Sequence, residues 1–535
     1  MIAAAALLCG CKKDPSSQDT GLPLSANFTI TPEAVYVGEA VSLDAEVTGG
    51  TTPYSYKWTI GTTEQSQERA QLTYTFTENG SFIITLNVTD AKGATAQKKK
   101  VVVVNAPKID EQGALTVNWV GKMNGYNSKS AVAVADDGSV YSTCRDNKLY
   151  KWSSTGQSVW VKDIFTAKNG GVNVGTPSID SDGTIFIGAG HKNADGTLKA
   201  FKADGSVKWT FTEWYRSDGT TPEPSCQGVI VGISGNNVYF GCTGQNGIVL
   251  SANKATGKRN SFCSPAGGAR SGMVISKAGY VHWFGGKYGV FGISQTSLDA
   301  AGGNDPLNSQ WRGFADKVSP NTYEGQIGVM NVNGVPCVIG MYTDETGTKV
   351  YAVKATDGTV VSEVYIEDTD AQDQGGVVAD LNGNIVASLN YTLGKDNGGI
   401  VIVNPATSTV VARFRTQEKV SGSPAIDKAG NIHFGTESGY YYVVKLEGSE
   451  CKLLVKRNLA TLVKDSVSGF EDLNTAKIWC SPVIGDDGKM YICFTDNDTR
   501  AFGGVACLSY DGCKGPGASD WPMIGGNRRH TGEQK

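Results

Sequence analysis

The stretch SGSPAIDKAGNIHFGTESGYYYVVKL, from Ser421 to Leu446, decides the fold of this chain. It contains three short apolar runs, at 424–426, 432–434 and 440–446, separated by turns that each end in glycine. Short β-rich runs bounded by Gly, Asp or Asn are typical of antiparallel hairpins. The stretch therefore predicts three antiparallel strands that follow one another in the chain.

This unit recurs along the chain from about residue 113 to the end. Its first turn provides a marker, which recurs at intervals of about 44 to 58 residues, close to the length of four-stranded propeller blades. The marker glycines are Gly138, Gly183, Gly235, Gly279, Gly334, Gly383, Gly430 and Gly488. Eight markers predict an eight-bladed β-propeller over residues 113–535. The last unit stops after its third strand, near Tyr510, and we expect Leu115–Val120 to supply the missing fourth strand and close the ring.

A different pattern precedes the repeats, in residues 25–106. Tyr54, Tyr56 and Trp58 alternate along one run, which is the period of a strand with one buried face. Turn residues separate the runs, and the length suits a small β-sandwich. The chain is thus predicted to be all-β, with an immunoglobulin-like sandwich followed by a propeller.

Two resemblances sharpen this prediction. Tyr56-Lys57-Trp58 and the run Thr85-Leu86-Asn87-Val88-Thr89-Asp90 resemble a PKD domain, which implies an extracytoplasmic spacer or adhesion module. The repeated Ser-Pro-Ala-Ile-Asp-x-x-Gly-x-Ile motif and the ending Trp521-Pro522…His530-Thr531-Gly532 resemble the quinoprotein-dehydrogenase-like propellers, also called PQQ-like repeats. That superfamily includes dehydrogenases, outer-membrane assembly lipoproteins and binding propellers.

The beginning of the chain and its charge bear on location and partners. Met1–Gly10 is apolar, and Leu8-Cys9-Gly10-Cys11 resembles a bacterial lipobox, so we expect residues 1–24 to be a signal peptide and tether with a lipid on Cys11. This predicts an outer-membrane lipoprotein that faces the cell surface or the periplasm. The net charge of −4, without a basic stripe, disfavours nucleic acid as a partner.

The cysteines offer candidate disulfides, because an exported protein can oxidise them. Three pairs flank predicted turns, whereas free buried thiols remain an alternative interpretation. The pairs are Cys226 with Cys242, Cys480 with Cys493, and Cys507 with Cys513.

The residues favour a protein that is not an enzyme. The resemblance to quinoprotein dehydrogenases implies two adjacent cysteines and a calcium ligand set, but no Cys-Cys pair occurs and no such set aligns, so we expect no pyrroloquinoline quinone and see no indication of structural calcium. His282 and His433 occupy equivalent second-strand positions, which favours a structural role, and no metal site is predicted. Because a glycosidase needs only two carboxylates, that chemistry stays open.

Candidate ligand-binding residues lie in the loops before each first strand and after each second strand, which emerge on the same face of a propeller. Exposed Trp and Tyr rings stack on sugars or anchor protein interfaces, whereas the alternative is that they pack the loops onto the rim. The candidates are Trp214, Tyr215, Arg216, Trp283, Tyr288, Trp311, Tyr323 and Tyr391.

These observations lead to a functional expectation with two alternatives. We expect a non-enzymatic surface lipoprotein that binds a polysaccharide or another extracellular ligand through this loop face, with the PKD-like domain as spacer. The first alternative is an envelope scaffold that docks outer-membrane protein partners. The second is an enzyme, either of the quinone-dependent type or active on carbohydrate.

Overall fold

The computed structural model of the chain describes residues 21–78, 80–105, 109–127, 130–165, 175–188, 198–212, 230–242, 247–264, 267, 271–300, 306–314, 317–318, 325–367, 375–390, 398–416 and 418–534. The chain divides into two compact units, Met1–Ile109 and Asp110–Lys535. Both are built almost entirely from antiparallel strands. None of the helices among the described residues is long and apolar enough to cross a membrane.

The first unit is a two-sheet sandwich. Its strands are β1 (Ser25–Thr31), β2 (Val35–Tyr36), β3 (Ala40–Thr48), β4 (Ser55–Ile60), β5 (Thr63–Glu64), β6 (Gln71–Thr75), β7 (Gly80–Thr89) and β8 (Thr95–Asn105). One sheet has the order β1-β3-β6 and the other the order β2-β8-β7-β4-β5. Trp58 is fully buried, packs edge-on against Phe28 at 5.2 Å, and donates a 2.9 Å hydrogen bond to the carbonyl of Arg69. The predicted alternation thus places Trp58 in the core.

The second unit is a β-propeller. Its first elements in chain order are β9 (Thr116–Met123), β10 (Ala133–Val134), β11 (Val140–Cys144), β12 (Lys148–Trp152), β13 (Ser158–Asp163), β14 (Ser178–Ile179), β15 (Ile185–Gly188), β16 (Leu198–Phe201), β17 (Val207–Phe211), β18 (Gly232–Ser234), β19 (Asn237–Cys242), β20 (Ile248–Asn253) and β21 (Arg259–Cys263). The middle of the unit contains β22 (Val274–Ser276), β23 (Tyr280–Phe284), a 3-10 turn (Gly286–Tyr288), β24 (Val290–Ser294), α1 (Gln295–Asp299), β25 (Trp311–Gly313), β26 (Gly328–Val332), β27 (Val335–Asp344), β28 (Gly347–Lys354), β29 (Val360–Glu367), β30 (Val377–Ala379), β31 (Ile385–Asn390), β32 (Gly398–Asn404) and β33 (Thr409–Thr416). The last elements are β34 (Ala425–Ile426), β35 (Asn431–Gly435), β36 (Tyr440–Glu447), β37 (Glu450–Asn458), α2 (Leu459–Ser466), β38 (Ala476–Lys477), β39 (Val483–Ile484), β40 (Met490–Asp496) and β41 (Gly503–Ser509).

The described strands of this unit form eight sheets, which we number in chain order. Sheet 1 consists of β10 to β13, sheet 2 of β14 to β17, sheet 3 of β18 to β21, sheet 4 of β22 to β25, sheet 5 of β26 to β29, sheet 6 of β30 to β33, sheet 7 of β34 to β37, and sheet 8 of β38 to β41 with β9. The first strands of neighbouring sheets contact one another between sheets 1 and 2 and from sheet 3 through sheet 7, so these strands line the axis of the ring.

The ring is closed by the strand that follows the first unit, as the sequence predicted. In sheet 8, β9 pairs antiparallel with β41, in a register that runs from Met123 opposite Gly503 to Thr116 opposite Ser509. The closing strand therefore begins one residue later than Leu115 and extends three residues past Val120. Because the last sheet contains chain from both ends of the unit, unfolding either end opens the ring.

Hydrogen bonds join each sheet to the next. Several of them satisfy backbone amide and carbonyl groups that the short first strands leave unpaired. Small hydroxyl side chains provide several of them. Around the ring these contacts are Ala131 N to Thr176 Oγ1, Val231 N to Ser178 Oγ, Met273 N to Ile230 O, Gly272 N to Gln326 Oε1, the bridge between Gln326 and Gly376, Ser388 Oγ to Gly422 O, Ser423 N to Ser481 Oγ, and Ser142 Oγ with Cys493 Sγ.

The marker glycines close the turns between first and second strands. All eight adopt the left-handed region, with φ between 54° at Gly235 and 80° at Gly334 and Gly488. At Gly279 and Gly383 a Cβ atom would meet nothing within 4 Å, so the requirement there is the backbone angle and not the space. Turn chemistry thus explains why this position could be recognised in the sequence.

Candidate functional site

The chain after β41, residues 515–534, runs around the axis of the propeller, and we call this segment the tail. The amide of the same position in six first strands donates a hydrogen bond of 2.6 to 2.9 Å to a tail carbonyl. These bonds run from Val134 to Arg528, from Ile179 to Arg529, from Ile233 to Thr531, from Ile275 to Gly532, from Ala379 to Trp521 and from Ile426 to Pro522. The tail therefore covers the axis at the side where first and second strands are joined.

Apolar and polar contacts fix the tail in place. Trp521 is 1 % exposed and packs on Gly328 of β26, where a Cβ atom would lie 2.6 Å from the indole ring. His530 is fully buried and its Nδ1 lies 3.1 Å from the carbonyl of Pro177, and burial lowers its pKa to about 4. Asp520 accepts a 2.8 Å hydrogen bond from the amide of Asn331. The tail is thus an integral part of the propeller core.

A polar cavity of about 500 Å³ lies between the tail and the hairpin turns of sheets 1, 2, 3 and 8. Its cations are paired with carboxylates: Arg528 lies 2.7 Å from both Asp136 and Asp486, and Lys254 lies 2.7 Å from Asp180. Because Arg528 already holds two carboxylates, it is not poised to bind an anionic ligand.

A second polar cluster is buried beside the start of the tail. The carboxylate of Asp427, at the end of β34, lies 3.1 Å from Nε2 of His433 on β35, and the thiol of Cys513 approaches both. Burial raises the pKa of Asp427, but hydrogen bonds from His433 and Asn431 outweigh that effect and the net shift is downward. Burial raises the pKa of Cys513 to about 11, so its thiol is protonated at neutral pH and is a poor nucleophile.

The structure corrects the expected exposure of two aromatic candidates. Trp283 is fully buried and stacks on Phe291 at 5.3 Å. Trp311 is 7 % exposed, and its indole donates a 2.9 Å hydrogen bond to the carbonyl of Ala355. Both rings fill the space between strands, as the alternative packing interpretation proposed, so the expected exposure was wrong, whereas their contact with a ligand stays a prediction.

Of the other candidates, Tyr288 belongs to the described residues and the rest do not. Tyr288 is partly exposed, and the guanidinium of Arg312 lies 5.6 Å from the centre of its ring. The remaining candidates, Trp214, Tyr215, Arg216, Tyr323 and Tyr391, lie outside the described residues, as does the lipidation candidate Cys11.

The predicted disulfides involving described thiols are absent, because Cys480, Cys493, Cys507 and Cys513 are all free. The thiol of Cys480 donates to the carbonyl of Cys493 at 3.0 Å and also interacts with the Cys493 thiol, without a bond between the two sulfurs. Cys507 faces the closing strand, where Asn118 lies 3.7 Å away, whereas Cys513 faces Asp427. Cys226 and the side chain of Cys242 lie outside the described residues.

Sequence reasoning missed both the tail contacts and the Asp427 cluster. The tail motif was recognised, but nothing in its composition says which strands it contacts. Along the chain, all of sheet 8 except its closing strand β9 lies between Asp427 and Cys513. Their proximity in space therefore follows from the closed ring and not from a local spacing.

Comparisons with known proteins agree with this architecture. Residues 25–105 match the model of the PKD domain, and residues 108–270 match the model of the outer membrane protein assembly factor BamB. The chain thus has a PKD domain at its N-terminal side followed by a BamB-like, PQQ-like repeat domain. No curated protein matches the chain.

Solved structures with the same fold include both enzymes and non-enzymes. A europium-containing methanol dehydrogenase has a TM-score of 0.53 at 12 % identity, with 75 % of this chain and 95 % of that chain covered. The quinohemoprotein alcohol dehydrogenase from Comamonas testosteroni has a TM-score of 0.52 at 12 % identity, with 75 % and 78 % covered. The C-terminal WD40 domain of Sif2 has a TM-score of 0.51 at 10 % identity, with 74 % and 98 % covered. At such identities the likeness concerns the propeller fold alone.

Proposed function

We propose that the propeller is a non-enzymatic docking module of the bacterial envelope, which holds a protein partner on the loop face opposite the tail. The observation that carries this proposal is the tail itself, which occupies the axis with hydrogen bonds to six first strands. One side of the ring is therefore covered by the chain's own residues, and the loop face is left for a partner. The match of residues 108–270 to an outer membrane assembly factor supports a partner of the envelope.

The chemistry of the described residues supports a role without catalysis. The cluster with a thiol, an imidazole and a carboxylate is buried, and its cysteine holds its proton. The cavity beside the tail has its two arginines and its lysine paired with carboxylates. Neither arrangement presents an activated nucleophile or a free acid–base pair to a substrate.

The remaining parts of the chain fit an anchored protein. A lipid on Cys11 would hold the chain at a membrane, and the PKD domain would act as the spacer between anchor and propeller. Both statements belong to the proposal, and the expected location is the outer membrane, on its periplasmic or outer side.

Polysaccharide is the second candidate ligand of the same face. It is favoured by the sequence Trp214-Tyr215-Arg216, which lies before a first strand and combines two stacking rings with a hydrogen-bond donor. The burial of Trp283 and Trp311 removes two of the rings that supported this candidate, so we place protein docking first.

Site-specific photo-crosslinking separates the two candidates. A crosslinking amino acid is introduced at Trp214 in the lipidated full chain, and at Tyr365 on the outer strand β29 as a control, since Tyr365 is 48 % exposed. Docking predicts one defined membrane-protein adduct from position 214 and none from 365. If a polysaccharide in the gel retards the wild type but not Trp214→Ala in affinity electrophoresis, the result establishes glycan binding instead. Absorbance of a bound quinone would refute the non-enzymatic proposal altogether.

A further inference from the structure

The buried cluster beside the start of the tail brings together three side chains of different chemistry. Asp427 and His433 belong to the first hairpin of sheet 7, whereas Cys513 follows the last strand, β41. Asp427 and His433 are fully buried and Cys513 is 5 % exposed. One atom of each, a carboxylate oxygen, an imidazole nitrogen and the sulfur, lies within 4.8 Å of the other two.

The cluster already has the supporting contacts that a metal site needs. Both oxygens of Asp427 are oriented, one by the backbone amides of Ala429 and Asn431 and the other by the Asn431 side chain at 2.8 Å. The hydroxyl of Tyr441 lies 3.3 Å from Nδ1 of His433, which leaves Nε2 facing the carboxylate. In metalloproteins, a hydrogen bond to the other ring nitrogen of a ligating histidine fixes the orientation of its ring.

Other sheets show that the repeat does not require this combination. In sheet 6, Asp380 makes the same turn contacts, with Asn384 in the place of Asn431, but Val386 stands where sheet 7 has its histidine. In sheet 4, His282 occupies the histidine position and lies 2.9 Å from Ser276, which stands where sheet 7 has its aspartate. Each side chain is therefore accommodated alone, and within the described part of the chain only sheet 7 combines them with a cysteine.

We propose that Asp427, His433 and Cys513 bind a zinc ion with a structural role, with a water as the fourth ligand of the tetrahedron. Oxygen, nitrogen and sulfur donors from aspartate, histidine and cysteine are the set that Zn²⁺ accepts, and bonds of about 2.0–2.1 Å at a tetrahedral angle separate two such ligands by about 3.3 Å. The 3.1 Å between Asp427 and His433 is close to that separation. On binding, the thiol of Cys513 loses its proton to solvent and the thiolate takes the ion, while the imidazole binds as the neutral form.

The site has a defined consequence for the architecture. Gly515, two residues after Cys513, accepts a hydrogen bond from Lys428, and Gly517 donates one to Ile426, so the tail starts directly at this hairpin. A zinc ion there joins the end of sheet 8 to sheet 7 and holds the segment that then covers the axis. The function is structural, because every protein ligand is buried away from a substrate.

Cobalt substitution tests the site in the full chain. The protein is produced in cobalt-supplemented medium, since a buried site takes up its ion during folding. We expect the near-ultraviolet thiolate-to-cobalt charge-transfer band in the wild type, and its loss in Cys513→Ser. Two matched controls keep the band: Cys507→Ser, which removes another buried thiol of the same sheet, and His282→Gln, which removes the equivalent histidine of sheet 4.

Zinc content and thermal stability provide a second measurement, which is needed if a variant folds poorly. Zinc-grown wild type should carry about one zinc per chain, and a strong chelator should lower its Tm, whereas the chelator should leave the Tm of Cys513→Ser unchanged. The proposal is overturned if the wild type shows no charge-transfer band and no chelator effect, or if Cys513→Ser retains both. Adventitious binding by the other cysteines would appear as a band that Cys513→Ser does not change.

Discussion

Truncating Trp521 to alanine should destabilise the propeller more than any single change on its rim. The indole is 1 % exposed and lies between Gly328 of β26 and Gly526 of the tail, at 2.6 and 2.8 Å from the Cβ atoms those glycines lack. Replacing a buried tryptophan by alanine in a core costs about 3–5 kcal/mol, because the transfer free energy is lost and a cavity remains. The glycines cannot fill this cavity, so the upper half of the range is expected.

Urea unfolding followed by tryptophan fluorescence measures this effect. Of the 10 tryptophans only Trp58 belongs to the first unit, so the signal reports mainly on the propeller. With a slope of about 3 kcal/mol per molar urea, the midpoint should fall by about 1.3–1.7 M. Tyr365→Ala, on an exposed outer strand, is the control and should change stability by less than about 0.5 kcal/mol.

The result that would refute this reasoning is a midpoint for Trp521→Ala that matches Tyr365→Ala at an unchanged slope. The tail would then be a peripheral segment, and the argument that it covers the axis would lose its basis. A lowered midpoint with a reduced slope would show instead that the tail detaches before the ring unfolds, since the slope scales with the surface exposed.

Three further predictions concern closure, charge and pH. Gly121→Ala in β9 should destabilise the ring by about 1–3 kcal/mol in the same urea assay, because the added Cβ would lie 2.4 Å from the buried ring of Trp152. Thr116→Ala, at the exposed end of that strand, is the control. Lys456→Met should cost about 3–5 kcal/mol, because it leaves Glu418 buried without the cation now 3.2 Å away, and adding Glu418→Gln should restore much of the loss. The folded-state pKa of His530, about 4, lies below its ordinary value, so its contribution to stability is full above pH ~6.5 and falls by about 3 kcal/mol between pH ~6.5 and ~4. Because burial also lowers the pKa of His282, to about 3, that residue loses stability over the same range. His530→Gln should therefore remove about half of the slope that these two histidines give the profile measured by thermal unfolding, and an unchanged profile would contradict the assignment.

Much of the fold could be read from local patterns because turns and strands are decided by neighbouring residues. The glycine markers identified the first hairpin of each sheet, and every one of them adopts a positive φ. The closing strand could be predicted because the last unit lacked one strand and an apolar run near residue 115 was unassigned. Trp58 followed from a period-2 pattern over a few residues.

Side-chain exposure and long-range proximity were decided only by the tertiary structure. Trp283 and Trp311 belong to strands whose neighbours come from other parts of the sheet, and this packing buries rings that composition alone marks as ligand contacts. Cys513 meets Asp427 and His433, and the tail meets six first strands, because closing the ring brings together segments far apart in the chain. The sequence by itself determined the two β domains and the position of the closing strand, since these depend on the period of short segments. The closed ring determined which side chains meet at its axis, since those distances depend on all the sheets at once.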